Sequence, residues 1–236
     1  MIFHIGDSTT DFKPPRLVSA TIFDPPYNIG FNYGNAHNDS MKRDKYESYI
    51  QGTVENIYDN TEIDGSLFLI HNAVEAARLL PVIESTGWKI HQWISWVYPS
   101  NTGHSQKRFT SASRVILWFS KTVEPYFNRL GVTQPYKNPN DRRVKERIAA
   151  GHTGVALYDW WKINMVKKGS KEHLSYYNQI PQELLKRIIL CCTEEGDMVA
   201  DAAAGSGSTY IATKTTGREC YLIDKNPECL ERWKTL

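Results

Sequence analysis

Short apolar runs of strand length alternate with amphipathic stretches of helix length along most of this chain. That alternation constrains it to an α/β architecture with a mostly parallel, twisted sheet flanked by helices. Strands are expected at 17–23, 65–70, 88–97, 115–119, 198–200 and 219–223, and helices at 44–58, 73–85, 181–194 and 208–216. Pro25 and Pro26 close the first strand because a proline cannot donate to a ladder. Pro181 sits in the first turn of one helix, and Gly217 ends another. From 123 to 154 the pattern breaks: Pro125, Pro135 and Pro139 punctuate it, and a charge run follows at 142–147. The chain of 236 residues therefore divides into 1–122, an inserted segment at 123–158, and 159–236, the outer two forming one domain.

The net charge of +2 conceals an asymmetry. Between Asn101 and His173 there are fourteen Lys/Arg against five Asp/Glu, so the rest of the chain is acidic. A basic segment on an acidic body is read either as a polyanion-binding face or as a solvated loop. Cys191, Cys192, Cys220 and Cys229 form no C-x-x-C pair, which points to reduced, buried thiols in a cytoplasmic protein rather than to a zinc site or disulfide framework. No apolar run reaches the length of a membrane span, no secretion signal is visible, and the histidines show no ligand spacing, so neither membrane nor metal is expected.

Two stretches carry chemistry. In the first, the strand at 198–200 leads into Asp201. A small-residue loop follows (Ala202, Ala203, Ala204, Gly205, Ser206, Gly207), then a helix opening at Ser208 and Thr209, and the next strand ends in Asp224. Small residues let backbone approach a ligand, and an acid on the following strand accepts from ribose hydroxyls. The loop lacks the lysine of a phosphate-binding loop and departs from G-x-G-x-x-G, so an adenosyl group fits better than a phosphate or a nicotinamide dinucleotide. A tight packing turn with an exposed Asp224 is the alternative.

In the second, Asp24-Pro25-Pro26-Tyr27-Asn28 lies at the carboxyl end of a strand, where open α/β sheets place ligands. An exocyclic amine on a base is a poor nucleophile because its lone pair is delocalised. A carboxylate and a backbone carbonyl, here Asp24 and Pro25, would draw its N–H groups toward tetrahedral geometry. The prolines fix the carbonyl direction. Tyr27 offers a face on which an extruded base would stack. An ordinary Asp-Pro turn is the alternative reading.

These residues, in this order, resemble the permuted β-class amino-methyltransferases of DNA (adenine-N6 or cytosine-N4 type). Residues 24–30 resemble the catalytic motif, and 201–209 the cofactor loop. Residues 179–185 resemble the helix entrance before that loop, 96–121 the strand pair closing the base pocket, and Gly6-Asp7 the contact to the cofactor's adenine. The resemblance implies a Rossmann-like methyltransferase fold, S-adenosyl-L-methionine as cofactor, double-stranded DNA as partner and base flipping. The target it implies is adenine N6, with cytosine N4 as runner-up; an RNA or protein-amide methyltransferase and a decayed DNA-binding module are the rivals. It also implies cofactor contacts from Asp7, Asp24, Gln179, Asp201, Ala203, Gly205, Ser206, Gly207, Ser208, Thr209, Asp224 and Lys225, and a homodimer as a further expectation. The chain departs from the family at Ala202-Ala203 (usually Pro-Phe), Asp224 (usually Glu), 176–181, and Arg114, where an acid is common.

The same resemblance makes the inserted segment a target-recognition element, in which Lys137, Arg142, Arg143, Lys145 and Arg147 would neutralise phosphates or read guanine edges. The polar stretch at 103–108, with Lys107 and Arg108, is read as a mobile loop near DNA.

Overall fold

Strands form where apolar runs can be covered on both faces. The computed structural model describes residues 2–31, 39–99, 106–176 and 178–236. In chain order these give β1 (Ile2–Ile5), β2 (Val18–Phe23), α1 (Arg43–Asp59), β3 (Thr61–His71), α2 (Ala73–Glu84), β4 (Lys89–Val97) and β5 (Ser113–Ser120). The middle of the chain adds β6 (Thr133–Gln134), α3 (Arg142–Ala149), β7 (Val155–Ala156) and β8 (Trp160–Lys162). Then come α4 (Gln182–Cys192), β9 (Met198–Asp201), α5 (Ser208–Thr215), β10 (Glu219–Asp224) and α6 (Glu228–Trp233).

Eight strands form one sheet in the order β1-β10-β9-β2-β3-β5-β4-β8. The first five in that order run parallel, β5 is antiparallel to both β3 and β4, and β8 is parallel to β4. From β2 the chain crosses over α1 to β3 on one side, and from β9 it crosses over α5 to β10 on the other. The direction of winding therefore reverses between β2 and β9, and a crevice opens at their carboxyl ends.

Each face of the sheet is covered by apolar helix stripes. Tyr46, Ile50, Val54 and Ile57 of α1 and Leu79 and Ile83 of α2 share a core with Phe23, Leu67, Leu69 and Leu117. Opposite, Leu184, Leu185, Ile188 and Ile189 of α4 pack with Ile22, Phe68, Ile70, Ile116 and Trp96. Burying each such side chain contributes about 1.5–3 kcal/mol. A smaller cluster joins Trp233 and Cys229 of α6 to Leu222 and Ala204. All four cysteines are buried.

Order extends further than the sequence pattern indicates. β8 joins the main sheet beside β4, β6 and β7 make a two-stranded ribbon, and α3 forms on an Asp141 cap that accepts the amides of Arg143 (2.9 Å) and Val144 (3.4 Å). Each escapes a periodicity reading for a physical reason: α3 buries no residue, and β8 has only three, alternating exposed, buried, exposed. The edge strand β1 and the six-residue α6 are likewise too short or too exposed to stand out.

Candidate active site

The two motifs meet in the crevice. Ile22 of β2 is in register with Asp201 of β9, and the Ala202 amide donates to the Ile22 carbonyl at 3.0 Å. Asp24, two residues beyond Ile22, thus emerges beside Asp201. Leu222 of β10 pairs with Asp201 in turn, which brings Asp224 to the same end of the sheet. Here lies a cleft with about 780 Å³ of empty space, part of it open solvent.

Of the expected cofactor residues, Asp24, Gln179, Asp201, Ala203, Gly205, Ser206, Ser208, Asp224 and Lys225 line this cleft. Ser8, Tyr49, Tyr176 and Asn178 line it too, and no sequence signal singled out Ser8 or Tyr49. Gly207 and Thr209 stand behind the loop. Gly207 (φ +78°) has the left-handed backbone that favours glycine, and a Cβ there would meet the Trp233 ring at 2.6 Å. The Thr209 hydroxyl donates to Asp201. Asp7 is turned aside: its carboxylate pairs with Lys225 at 2.6 Å and accepts from Thr9, so that, although burial pushes the group up, its pKa lies below the ordinary value. The buried Gln179 side chain is spent on backbone, donating to Glu172 and accepting from Leu174, which ties 172–174 to the cleft wall. Tyr177 lies outside the described residues.

The cofactor loop is held by its acids. Asp201 accepts the Ala203 amide at 3.1 Å, and Asp224 accepts the amides of Gly205 and Asn226, both at 2.8 Å. Behind the loop, the buried Trp233 indole donates to the Gly205 carbonyl at 3.1 Å. Burial, reinforced by the charges of Asp24 and Asp224, pushes the Asp201 carboxyl up to about 7 against the bonds from Thr209 and Ala203.

At the catalytic corner, Asp24 and Pro26 reach the cleft. Burial raises the Asp24 carboxyl to about 6, opposed by the charge of Arg114 and the hydrogen bond from Tyr27. The Pro26 carbonyl accepts the Tyr46 hydroxyl at 2.7 Å, whereas among the described residues the Pro25 carbonyl accepts no hydrogen bond. The open stacking face expected of Tyr27 is absent. The ring is 8% exposed, stacks on His71 with centroids 4.3 Å apart, and has the Arg114 guanidinium over it at 5.0 Å. Its hydroxyl instead donates to Asp24 at 2.7 Å, so Tyr27 orients the acid.

His71 was not visible as a site residue because its neighbours are remote in sequence. The one hydroxyl proton of Tyr46 goes to Pro26. The His71 Nε2 proton therefore goes to the Tyr46 oxygen (2.7 Å), while Nδ1 accepts the Asn72 amide (2.9 Å). Burial lowers the His71 pKa to about 4, so the ring is neutral. Asp39 completes the corner: its carboxylate gathers the amides of Asn28 (2.7 Å), Ile29 (3.1 Å) and Phe31 (2.7 Å) and supports Asn28 at φ +57°.

The basic residues lie elsewhere. Lys107, Arg108 and Lys137 are exposed, and Arg142, Arg143, Lys145 and Arg147 project from α3 into solvent, with Arg142 paired to Glu146 at 3.1 Å. Residues 103–105 of the expected loop fall outside the described residues.

A mostly parallel sheet that reverses beside a cleft walled by a small-residue loop and three acids defines a Rossmann-like α/β protein. A model of the N6/N4-type DNA methylase family matches residues 18–234, and the chain belongs to that family. The chain is 26% identical over 232 residues to type II methyltransferase M1.MboII of Moraxella bovis, covering 90% of this chain and 86% of that one. It is 32% identical over 173 residues to type II methyltransferase M2.DpnII of Streptococcus pneumoniae, covering 72% and 56%. It is 26% identical over 234 residues to the DNA adenine methyltransferase YhdJ of Escherichia coli, covering 96% and 79%. The fold matches that of the cytosine-N4-specific PvuII DNA methyltransferase (TM-score 0.74, 17% identity, 98% of this chain and 84% of that one). It also matches the M1.HpyAVI–SAM complex (TM-score 0.70, 18% identity, 99% and 97%). Among the described residues no helix is long and apolar enough to cross a membrane.

Proposed function

We propose that this chain is an S-adenosylmethionine-dependent DNA methyltransferase that methylates adenine N6 at a specific site. The observation that carries the reading is the convergence of Asp24, Asp201 and Asp224 on one cleft.

The cleft fits the cofactor. Three carboxylates around one cavity, two of them destabilised by burial, suit a cationic adenosyl ligand and disfavour a phosphate. When bound, S-adenosylmethionine supplies a methyl carbon already activated by its sulfonium. Asp224 and Lys225 face the ribose side, the 201–206 loop gives close backbone approach, and Ser8 and Tyr49 close the cavity. Asp24 accepts one N–H of the target amine and the Pro25 carbonyl the other. Tyr27, fixed by its bond to Asp24, and Tyr46, fixed to Pro26, hold those acceptors so that little reorganisation accompanies attack. The base must leave the duplex to reach them. Residues 123–158, with the exposed cations of α3, form the target-recognition face, and Lys107 and Arg108 flank it.

Aspartate at the head of the catalytic motif favours adenine, and the adenine specificity in the name of the Escherichia coli relative supports that choice. Duplex DNA and RNA incubated separately with methyl-labelled cofactor, then digested to nucleosides for mass spectrometry, decide it. N6-methyladenine from DNA is expected. N4-methylcytosine would reassign the target, and label on RNA alone would remove the DNA reading.

A further inference from the structure

We propose that Arg114 is the positioning residue of the catalytic corner: its guanidinium, held between Tyr27 and Trp96, keeps Asp24 a carboxylate and keeps the Tyr27 hydroxyl aimed at it. The proposal rests on the reading of Asp24 as the amine acceptor.

Arg114 of β5 lies opposite Trp96 of β4 in the ladder, and its guanidinium carbon is 5.5 Å from the Trp96 ring and 5.0 Å from the Tyr27 ring. His71 stacks on the same tyrosine, so Tyr27 is gripped by an arginine and a neutral imidazole. The far end of the gripped ring is the hydroxyl that donates to Asp24. A flat cation over an aromatic face is a stiffer support than a flexible ammonium would be.

Packing alone does not account for the arginine. Its Nη1 is sealed from solvent with no hydrogen-bond partner among the described residues. An unsatisfied buried donor is a cost that an apolar side chain in the same slot would avoid. What the cation adds is charge at the corner. Asp24 is faced by Tyr27 from its own loop, by the Asp201 carboxyl from β9, and by Arg114 from β5. His71 from β3 is neutral, and Lys225 is engaged by Asp7 across the cleft. Burial pushes Asp24 toward its protonated form, which could accept fewer amine hydrogens. Arg114 is the cation that opposes this.

The test uses the full chain and the variants Arg114→Gln, Arg114→Met and Arg114→Lys. Asp24 is titrated directly by carboxyl carbon NMR in the cofactor-free protein, with Asp24→Asn for assignment, and kcat is measured against pH. Loss of the charge in the Gln and Met variants should raise the Asp24 midpoint by about one unit or more. Their activity loss should be greatest near pH 6 and shrink toward pH 9, while Arg114→Lys keeps the midpoint within roughly half a unit of the parent. Should the Gln and Met variants fail to fold, Arg114→Lys decides: a midpoint displaced as far as charge loss demands overturns the proposal. An unmoved midpoint in the Gln and Met variants, or a rate loss equal at all pH, also overturns it. Absence of any methyl transfer by the parent protein would sink the functional reading, while the carboxyl titration would still decide the role of Arg114.

Discussion

Ile22 and Asp201 face each other in register across two parallel strands that the chain visits far apart in sequence. The Ala202 amide locks the pair by donating to the Ile22 carbonyl. This pairing sets the spacing between Asp24 and the loop that follows Asp201, so their relative placement is a property of sheet register rather than of loop conformation.

Asp24→Ala should therefore lower kcat by at least ~100-fold, because it removes an acceptor preorganised for the attacking nitrogen. Binding of S-adenosylmethionine, measured by calorimetry, should change only a few-fold. Comparable turnover in the variant would remove Asp24 from the chemistry.

Asp201 should make stability fall with rising pH. Its folded-state carboxyl sits near 7, above the ordinary value of 3.8, so the folded chain binds this proton more tightly than the unfolded one. The contribution is fully present below the ordinary value and is lost as pH rises through about 7. Asp201→Asn should consequently be more stable than the parent at pH 8.5, by on the order of 2–4 kcal/mol; that advantage should fall to less than half at pH 5 and vanish only below about pH 4. Urea unfolding at the two pH values checks this; a gain that persists unchanged at pH 5 would contradict it.

Tyr46→Phe should cost about 1–3 kcal/mol, since it strands both the Pro26 carbonyl and the His71 Nε2–H in a buried site. Because Pro26 borders the acceptor carbonyl, kcat should fall as well. Thermal unfolding together with single-turnover rates would show both effects, and a wild-type rate would mean that the corner needs no support from α1.

Replacing Arg142 and Arg143 by alanine should weaken binding to any duplex. The slope of log K against log salt should become shallower by up to about two, roughly 0.9 for each phosphate that is no longer neutralised. Fluorescence anisotropy over a salt series provides the measurement. An unchanged slope would place α3 away from the DNA.

The parts of the fold legible in the sequence were those that bury both faces. β2 and the latter part of β3 have no exposed residue, and their largely apolar, uncharged runs say so. The α4 stripe of Leu184, Leu185, Ile188 and Ile189 is visible for the same reason. β8 and α3 were not, because what orders them is an edge pairing with β4 and a capping aspartate. At the site, the motif acids were legible from local order alone. His71, Tyr46 and Asp39 were not, because each acts on the corner through a contact that only the folded chain creates. The surroundings of Tyr27 were hidden for the same reason: nothing adjacent to it in sequence reveals that its ring lies buried against His71 and Arg114.

The hydrogen bond from the Trp233 indole to Gly205, and the close approach of that ring to Gly207, make α6 the rear buttress of the cofactor loop. A tag, fusion or truncation that lifts this last helix should thus be felt as a loosened loop at the cleft, ahead of any change in α3, which shares no cluster with it.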